Sequence, residues 1–472
     1  MKKLLLTMVF ALLGIVLIGC NRFNITTEAT TVTTTTENTT NNETTNTDTS
    51  LITTENSSAT TEPTTTALTY PDQKVTISFW NSLTGADGNS MRQLVSMFNT
   101  EYEGIFEVVE TYTSETDYYT NLNLLVPMGR GPDVAIMHSY LVQSYANSGI
   151  IRPIDDYIEE TYVDIQTEDY IQGIMDTLYF NEDLYAIPLD IHVTGLYYNI
   201  DLLDQYGISA PTNRSELIAA ATQIQTAEQA AGRTVWGLPL SSAWPSEWLF
   251  TTSLYQNNGD ELDSSLNPAY NSPEGVTALN MVADLIHVHG LSPLNLSVDQ
   301  DLFYFETGQA AFHIQGCWML KEIVDSGINF GVIPLSNMFN EDGADYSNDI
   351  AARSHTFVVP TQNNDVSLAE KLAITTFIKY LGDNSFVWAQ AGQIPASNIA
   401  RATAEYQALP YLSGFGDPNN FRLAEASPYY HEAYSPIYSR VTAAMLNAGY
   451  NAEELLAAAV QEALQLIAAA QE

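Results

Sequence analysis

The sequence predicts an α/β fold in two domains, and three observations carry that prediction. Val75-Thr-Ile-Ser-Phe-Trp80 alternates as a strand, passes into the loop 81–88, and is followed by Met91, Leu94, Val95 and Phe98 at helical spacing. A strand, a loop and a helix in that order begin an α/β layer. The 472 residues, 45% of them hydrophobic, suffice for two domains of ordinary size. The third observation is the stretch 184–199. Two short apolar runs, 184–188 and 195–199, flank Asp190, His192 and Thr194, which alternate with Ile191 and Val193. A period of two puts the three polar side chains on one face. That pattern reads as strand, turn, strand around a lined cleft, with the first run stopped by Pro188.

The chain begins with Lys2 and Lys3 and an apolar run over 4–18, the pattern of an export signal over 1–19. The run is shorter than the ~20 residues a spanning helix needs. It ends Leu17-Ile18-Gly19-Cys20, which resembles a bacterial lipobox, and this implies cleavage before Cys20 and its acylation. Residues 20–71 are Thr-rich with few large apolar side chains, too few to offset the entropy of ordering. About 50 such residues make a disordered tether of roughly 40 Å average reach. From Asp72 onward, Ser90 with Gln93 forms a capping box for the first helix, 105–109 the second strand, and Tyr118-Tyr119 open the second helix. Gly129-Arg-Gly-Pro-Asp133 is a turn and Val134–Met137 a strand leading to His138 and Ser139. The glycine pair precedes a strand, so it is no dinucleotide loop. Asn213 with Glu216, Ser367 with Glu370, and Asn451 are helix caps. Residues 353–360 read as a strand.

Charge excludes some partners. Sixteen Lys+Arg against 56 Asp+Glu give a formal net charge of −40, which repels nucleic acid and anionic lipid. Two cysteines, with Cys20 assigned to acylation, leave Cys317 unpaired and exclude a disulfide framework. His287 and His289 stand two apart, wrong for one helical face, and no carboxylate cluster completes a metal site. Neither metal nor cofactor is expected.

Several motifs together resemble one family. They are the Phe-Trp strand end, the Gly-x-Gly-Pro-Asp turn, Tyr185-Ala-Ile-Pro188 with Leu196-Tyr-Tyr-Asn-Ile-Asp201, and Phe303 to Trp318 with its Gly-x-Trp ending. In order, they resemble the bacterial extracellular solute-binding proteins that feed sugars or glycerol-phosphate compounds to ABC importers. The resemblance runs from about Val75 to the C-terminus. It implies a two-lobed periplasmic-binding-protein-like fold of type II, with three interlobe crossings and a ligand cleft between the lobes. Lobe one would hold 72–190 with 356–397, and lobe two 196–352 with 401–472. Ligand would favour the closed state because only there do both lobes touch it.

A sugar offers C–H faces to aromatic rings and hydroxyl edges to polar groups. Trp318 is the first stacking candidate, since the resembling loop places an indole on ligand. Trp244 and Trp248, around Pro245, and Tyr434 and Tyr438 are further aromatic candidates. His192 falls at a crossing where relatives bond ligand, with Asp190 its neighbour on the same face. Ser82, Thr84, His138 and Ser139 follow strand C-termini, where ligands of such sheets bind. By resemblance Tyr118 and Arg422 mark the glycerol-phosphate branch, because a phosphate wants arginine.

The expected function is therefore a substrate-binding lipoprotein of an ABC importer, taking a sugar or oligosaccharide by hinge closure. It is no enzyme, is a monomer, and is anchored at the outer face of the cytoplasmic membrane with permease subunits as partners. One alternative is the same role for glycerol 3-phosphate or its diesters. Another is an exported glycan-processing hydrolase, although Gly-x-Ser-x-Gly, His-Glu-x-x-His and Walker-type motifs are absent from the sequence.

Overall fold

The computed structural model describes residues 69–341 and 346–471; the export signal, Cys20 and the tether up to residue 68 lie outside them. Strand β1 (Val75–Asn81) buries Ile77 and Phe79 and pairs in parallel with β2 (Phe106–Tyr112) and β3 (Val134–His138). The helix Ala86–Glu101 covers them with Met91, Leu94, Val95 and Phe98, the stripe the spacing predicts. Its start differs from expectation. The Ser90/Gln93 box is not a cap; the helix begins at Ala86, where Asp87 Oδ1 accepts from the backbone N–H of Gly85 and Gly88. The other caps form: Asn213 and Asn451 accept N3 amides, and Ser367 with Glu370 makes a reciprocal box.

After β4 (Ile151–Arg152), the two-stranded pair β5 (Tyr179–Phe180) and β6 (Asp183–Leu184), and β7 (Ala186–Pro188) comes the long strand β8 (Asp190–Asn199). The expected turn inside this stretch does not exist. Only Leu189 separates β7 from β8, and the polar residues lie within one continuous buried strand. Next are β9 (Phe312–Gly316), β10 (Phe330–Pro334), β11 (Ile350–Arg353), β12 (His355–Pro360), β13 (Ile394–Pro395) and β14 (Phe421–Leu423).

These strands make two six-stranded sheets. The first runs β2-β1-β3-β12-β4 with β7 on β12; the second runs β10-β8-β11-β14 with β9 and β13 on β8. The chain leaves the first sheet at Leu189 and re-enters it at Ser354, between β11 and β12. The strand expected at 353–360 is thus broken by Ser354, whose carbonyl accepts from the Ser139 amide at 2.8 Å.

Asp190 sits at the junction and is 0% exposed. Its carboxylate accepts from His192 Nδ1 at 3.0 Å, His355 Nδ1 at 2.8 Å, the His355 amide at 2.9 Å and Trp388 Nε1 at 2.8 Å. Pro395 of β13 pairs with Asp190, so a third passage of the chain meets there. A buried carboxylate is stable only when its oxygens are so satisfied. Asp190→Ala leaves four buried donors unpaired and is expected to lower stability by roughly 3–5 kcal/mol, read from the urea midpoint.

Candidate functional site

A cleft of about 630 Å³ opens where the two sheets meet. One wall carries His138, at the end of β3, with Glu115 and Asp87. The floor carries His192, Arg353 and His355 from the junction strands, and the opposite wall carries Trp244, Glu247, Trp248 and Trp318. Tyr438 closes the rim. Ring centroids of Trp248 and Trp318 lie 5.4 Å apart, and of Trp244 and Trp318 6.0 Å apart. Trp248 is buried, whereas Trp244 is 41% exposed and presents its ring to the opening.

Trp318 owes its pose to a glycine. The chain turns from β9 into a 3₁₀ turn at Cys317–Met319, and the indole folds back over Gly316. A Cβ on Gly316 would stand 2.2 Å from Cε2 and Cζ2 of Trp318, so any larger residue must displace the ring. Cys317 is buried and free, as a small apolar group.

Arg353 enters the floor under aromatic rings, with its guanidinium carbon 4.6 Å from the Tyr140 centroid and 5.3 Å from that of Trp248. It donates to the Tyr430 hydroxyl at 3.3 Å. Glu247 is buried, and burial pushes its carboxyl up to about 7 against the pull of its backbone hydrogen bond and of Arg353. Burial would also raise Asp190, yet His355 and His192 hold it well below the carboxylate range. Burial and the charge of His355 take His192 down to about 4, with Asp190 opposing. Burial also opposes charge on His355, but Asp190 outweighs it and raises the pKa.

Of the residues the sequence nominates, His138, His192, Trp244, Trp248, Trp318 and Tyr438 converge on this cleft. The others stand elsewhere. Tyr118 is buried in the core beside β3, its hydroxyl donating to the Ile136 carbonyl. Ser139 is buried at a helix start, and Asp190 lies behind His192 and His355 rather than facing the opening. Tyr434 is buried against Thr251 and stacked on Tyr430 at 5.6 Å. Ser82 is half-buried and Thr84 exposed, and neither lines the cleft. Arg422 lies over the Tyr255 ring at 4.0 Å, pairs with Asp260 and lines a separate surface hollow. Strand-end logic, resemblance and, for Asp190, alternation with Ile191 nominate these residues, and packing across the sheets overrides all three. Sequence reasoning missed His355, Glu247 and His431, and took Arg353 no further than a position near a lobe edge. The signal for His355 and Arg353 was present, since they flank Ser354 at the second junction, and Asp190 and His192 follow directly on Leu189 at the first.

The family model described as bacterial extracellular solute-binding protein matches residues 81–385. The chain belongs to that family. The maltotriose-binding protein of Pyrococcus abyssi is 24% identical over 337 residues, covering 69% of this chain and 68% of that protein. Among solved structures, an ABC substrate-binding protein of Listeria monocytogenes in complex with cycloalternan is similar with a TM-score of 0.69 at 19% identity, covering 84% of this chain and 100% of that one. The Mycobacterium tuberculosis UgpB in complex with glycerophosphocholine has a TM-score of 0.71 at 18% identity, with 84% and 100% covered. At these identities the likeness to solved structures is one of fold: the type II, two-lobed α/β architecture. Extracellular solute-binding proteins bind rather than convert their ligands, so the family excludes the hydrolase reading. Among the described residues no helix is long and apolar enough to cross a membrane.

Glu247 makes a pH prediction. An acid raised from 4.5 to about 7 holds, in the folded state, a proton that the unfolded chain releases, so stability falls as pH rises through that window. Glu247→Gln should flatten this slope and stabilise the protein above pH 7, by no more than about 3 kcal/mol. Denaturation midpoints of both proteins between pH 4.5 and 8 check it.

Proposed function

We propose that this protein captures a sugar or oligosaccharide outside the cell and hands it to an ABC permease. The observation that carries the reading is the cluster of Trp244, Trp248 and Trp318 facing His138 and His192 across one cleft. Indole faces suit the C–H faces of a pyranose, and imidazole and carboxylate edges suit its hydroxyls. The maltotriose-binding relative and the cycloalternan complex support carbohydrate as the ligand class. In this reading residues 72–190 with 356–397 form lobe one, 196–352 with 401–472 form lobe two, and solute draws them together. Acylated Cys20 and the Thr-rich tether hold the monomer at the outer face of the cytoplasmic membrane.

A second reading, glycerol 3-phosphate or its diesters, is favoured by Arg353 on the cleft floor and by the UgpB complex. Arg422, paired with Asp260 outside the cleft, does not serve it.

A melting-temperature screen of the full chain against maltotriose, other sugars and glycerol phosphates separates the two, since ligand at 100 times Kd adds about 2.7 kcal/mol. Stabilisation by glycerol phosphates and by no sugar would reject the first reading. Trp318→Ala and Gly316→Ala should each weaken sugar affinity about tenfold or more in calorimetry, the second by moving the indole without removing it.

A further inference from the structure

The three histidines on the cleft wall and floor form a set that solute stacking does not require. His138, His192 and His355 come from β3, β8 and β12, and one ring nitrogen of each lies within 4.8 Å of the others. We propose that they bind a divalent transition cation of the zinc class, with an open coordination position facing the tryptophans. This goes beyond sugar capture but shares His138 and His192 with it, so zinc binding and sugar binding are measured separately.

Tautomer is the first argument. A metal ligand must be a neutral imidazole with a lone pair aimed at the ion, and a hydrogen bond at the other nitrogen fixes which one that is. Asp190 engages the Nδ1 atoms of both His192 and His355, so the neutral ring of each carries its proton there and leaves Nε2 for the ion, which on His355 must displace the second proton that Asp190 favours. The Tyr119 hydroxyl lies 2.9 Å from His138 Nδ1, and Glu115 Oε1 lies 3.7 Å from the same atom. Each ring is thus backed at Nδ1 by an oxygen, the supporting shell that ligating histidines use.

Geometry is the second argument. A tetrahedral zinc at 2.0–2.1 Å from each nitrogen separates them by about 3.3 Å. The three nitrogens lie within 4.8 Å of one another, within reach of that spacing by ring rotation or a small approach of the walls, and three ligands leave one position open. Trp318 stands next to that position, its ring centroid 5.7 Å from that of His192. A solute hydroxyl or carboxylate oxygen would be the fourth ligand.

Charge is the third. Arg353 faces the cluster and opposes a cation. Asp87 and Glu115 on the cleft walls and Asp190 behind the rings outweigh it, in a chain of formal net charge −40. The sequence hid the set because each histidine lies on a different strand and no two have ligand spacing.

The test uses the full chain, stripped by chelation and titrated with zinc chloride in a calorimeter, with cobalt(II) as the spectroscopic probe. One ion per chain is expected, with a visible tetrahedral cobalt band that shifts when maltotriose is added. His138→Ala, whose ring does not touch Asp190, should cut zinc affinity at least ~100-fold while the melting temperature of the metal-free protein stays near the parent's. His355→Gln should do the same to affinity. Zinc stoichiometry and affinity unchanged in both variants, or no stoichiometric zinc in the parent, would overturn the site. Sugar stabilisation of the metal-free protein, measured in parallel, reports on carbohydrate capture whichever way the metal result falls.

Discussion

One buried carboxylate organises the middle of the molecule. Asp190 gathers donors from β8, from β12 and from the helix bearing Trp388, while β13 pairs alongside it. Every passage of the chain between the two sheets therefore meets a single, fully buried negative charge. Such a charge costs several kcal/mol to bury and is repaid only when each oxygen is fully bonded. The constraint is strict in consequence. Moving either junction strand without the other leaves a donor or an oxygen unpaired. The floor of the cleft inherits this order, because the same histidines that satisfy Asp190 present their far edges to the opening.

The walls are chemically unlike. The wall reached from β3 supplies imidazole and carboxylate, and the facing wall supplies three indoles. Neither could hold a polar ring-shaped solute well by itself, since one offers mainly polar edges and the other mainly ring faces. Gly316 governs the apolar wall by what it lacks: the space where its side chain would be is filled by Trp318.

Local chemistry was legible in the sequence. Caps at Asn213, Asn451 and Ser367 form as read, because a cap depends on residues three apart. The stripe on the first helix and the Gly-x-Trp loop were legible for the same reason. What depends on partners distant in sequence was not. Asp190 and His192 do share a face, but which way it points is set by β12 and Trp388, which nothing near residue 190 announces. The Ser90 pattern suggests a cap, but the helix starts a turn earlier, where Asp87 does the bonding. Resemblance puts Tyr118 and Arg422 at the ligand, but in this chain a core carbonyl and Asp260 claim them.

Arg353 carries a consequence for how solutes arrive. Its cation is sheathed by Tyr140, Trp248 and Tyr430 in the interior of a strongly acidic molecule. A negatively charged solute approaching from bulk meets net repulsion over a Debye length and feels the guanidinium only at contact. Raising the ionic strength would then hasten the encounter of an anion while leaving that of an uncharged sugar unaltered. The outer field screens by kinetics what the inner cation would accept by affinity.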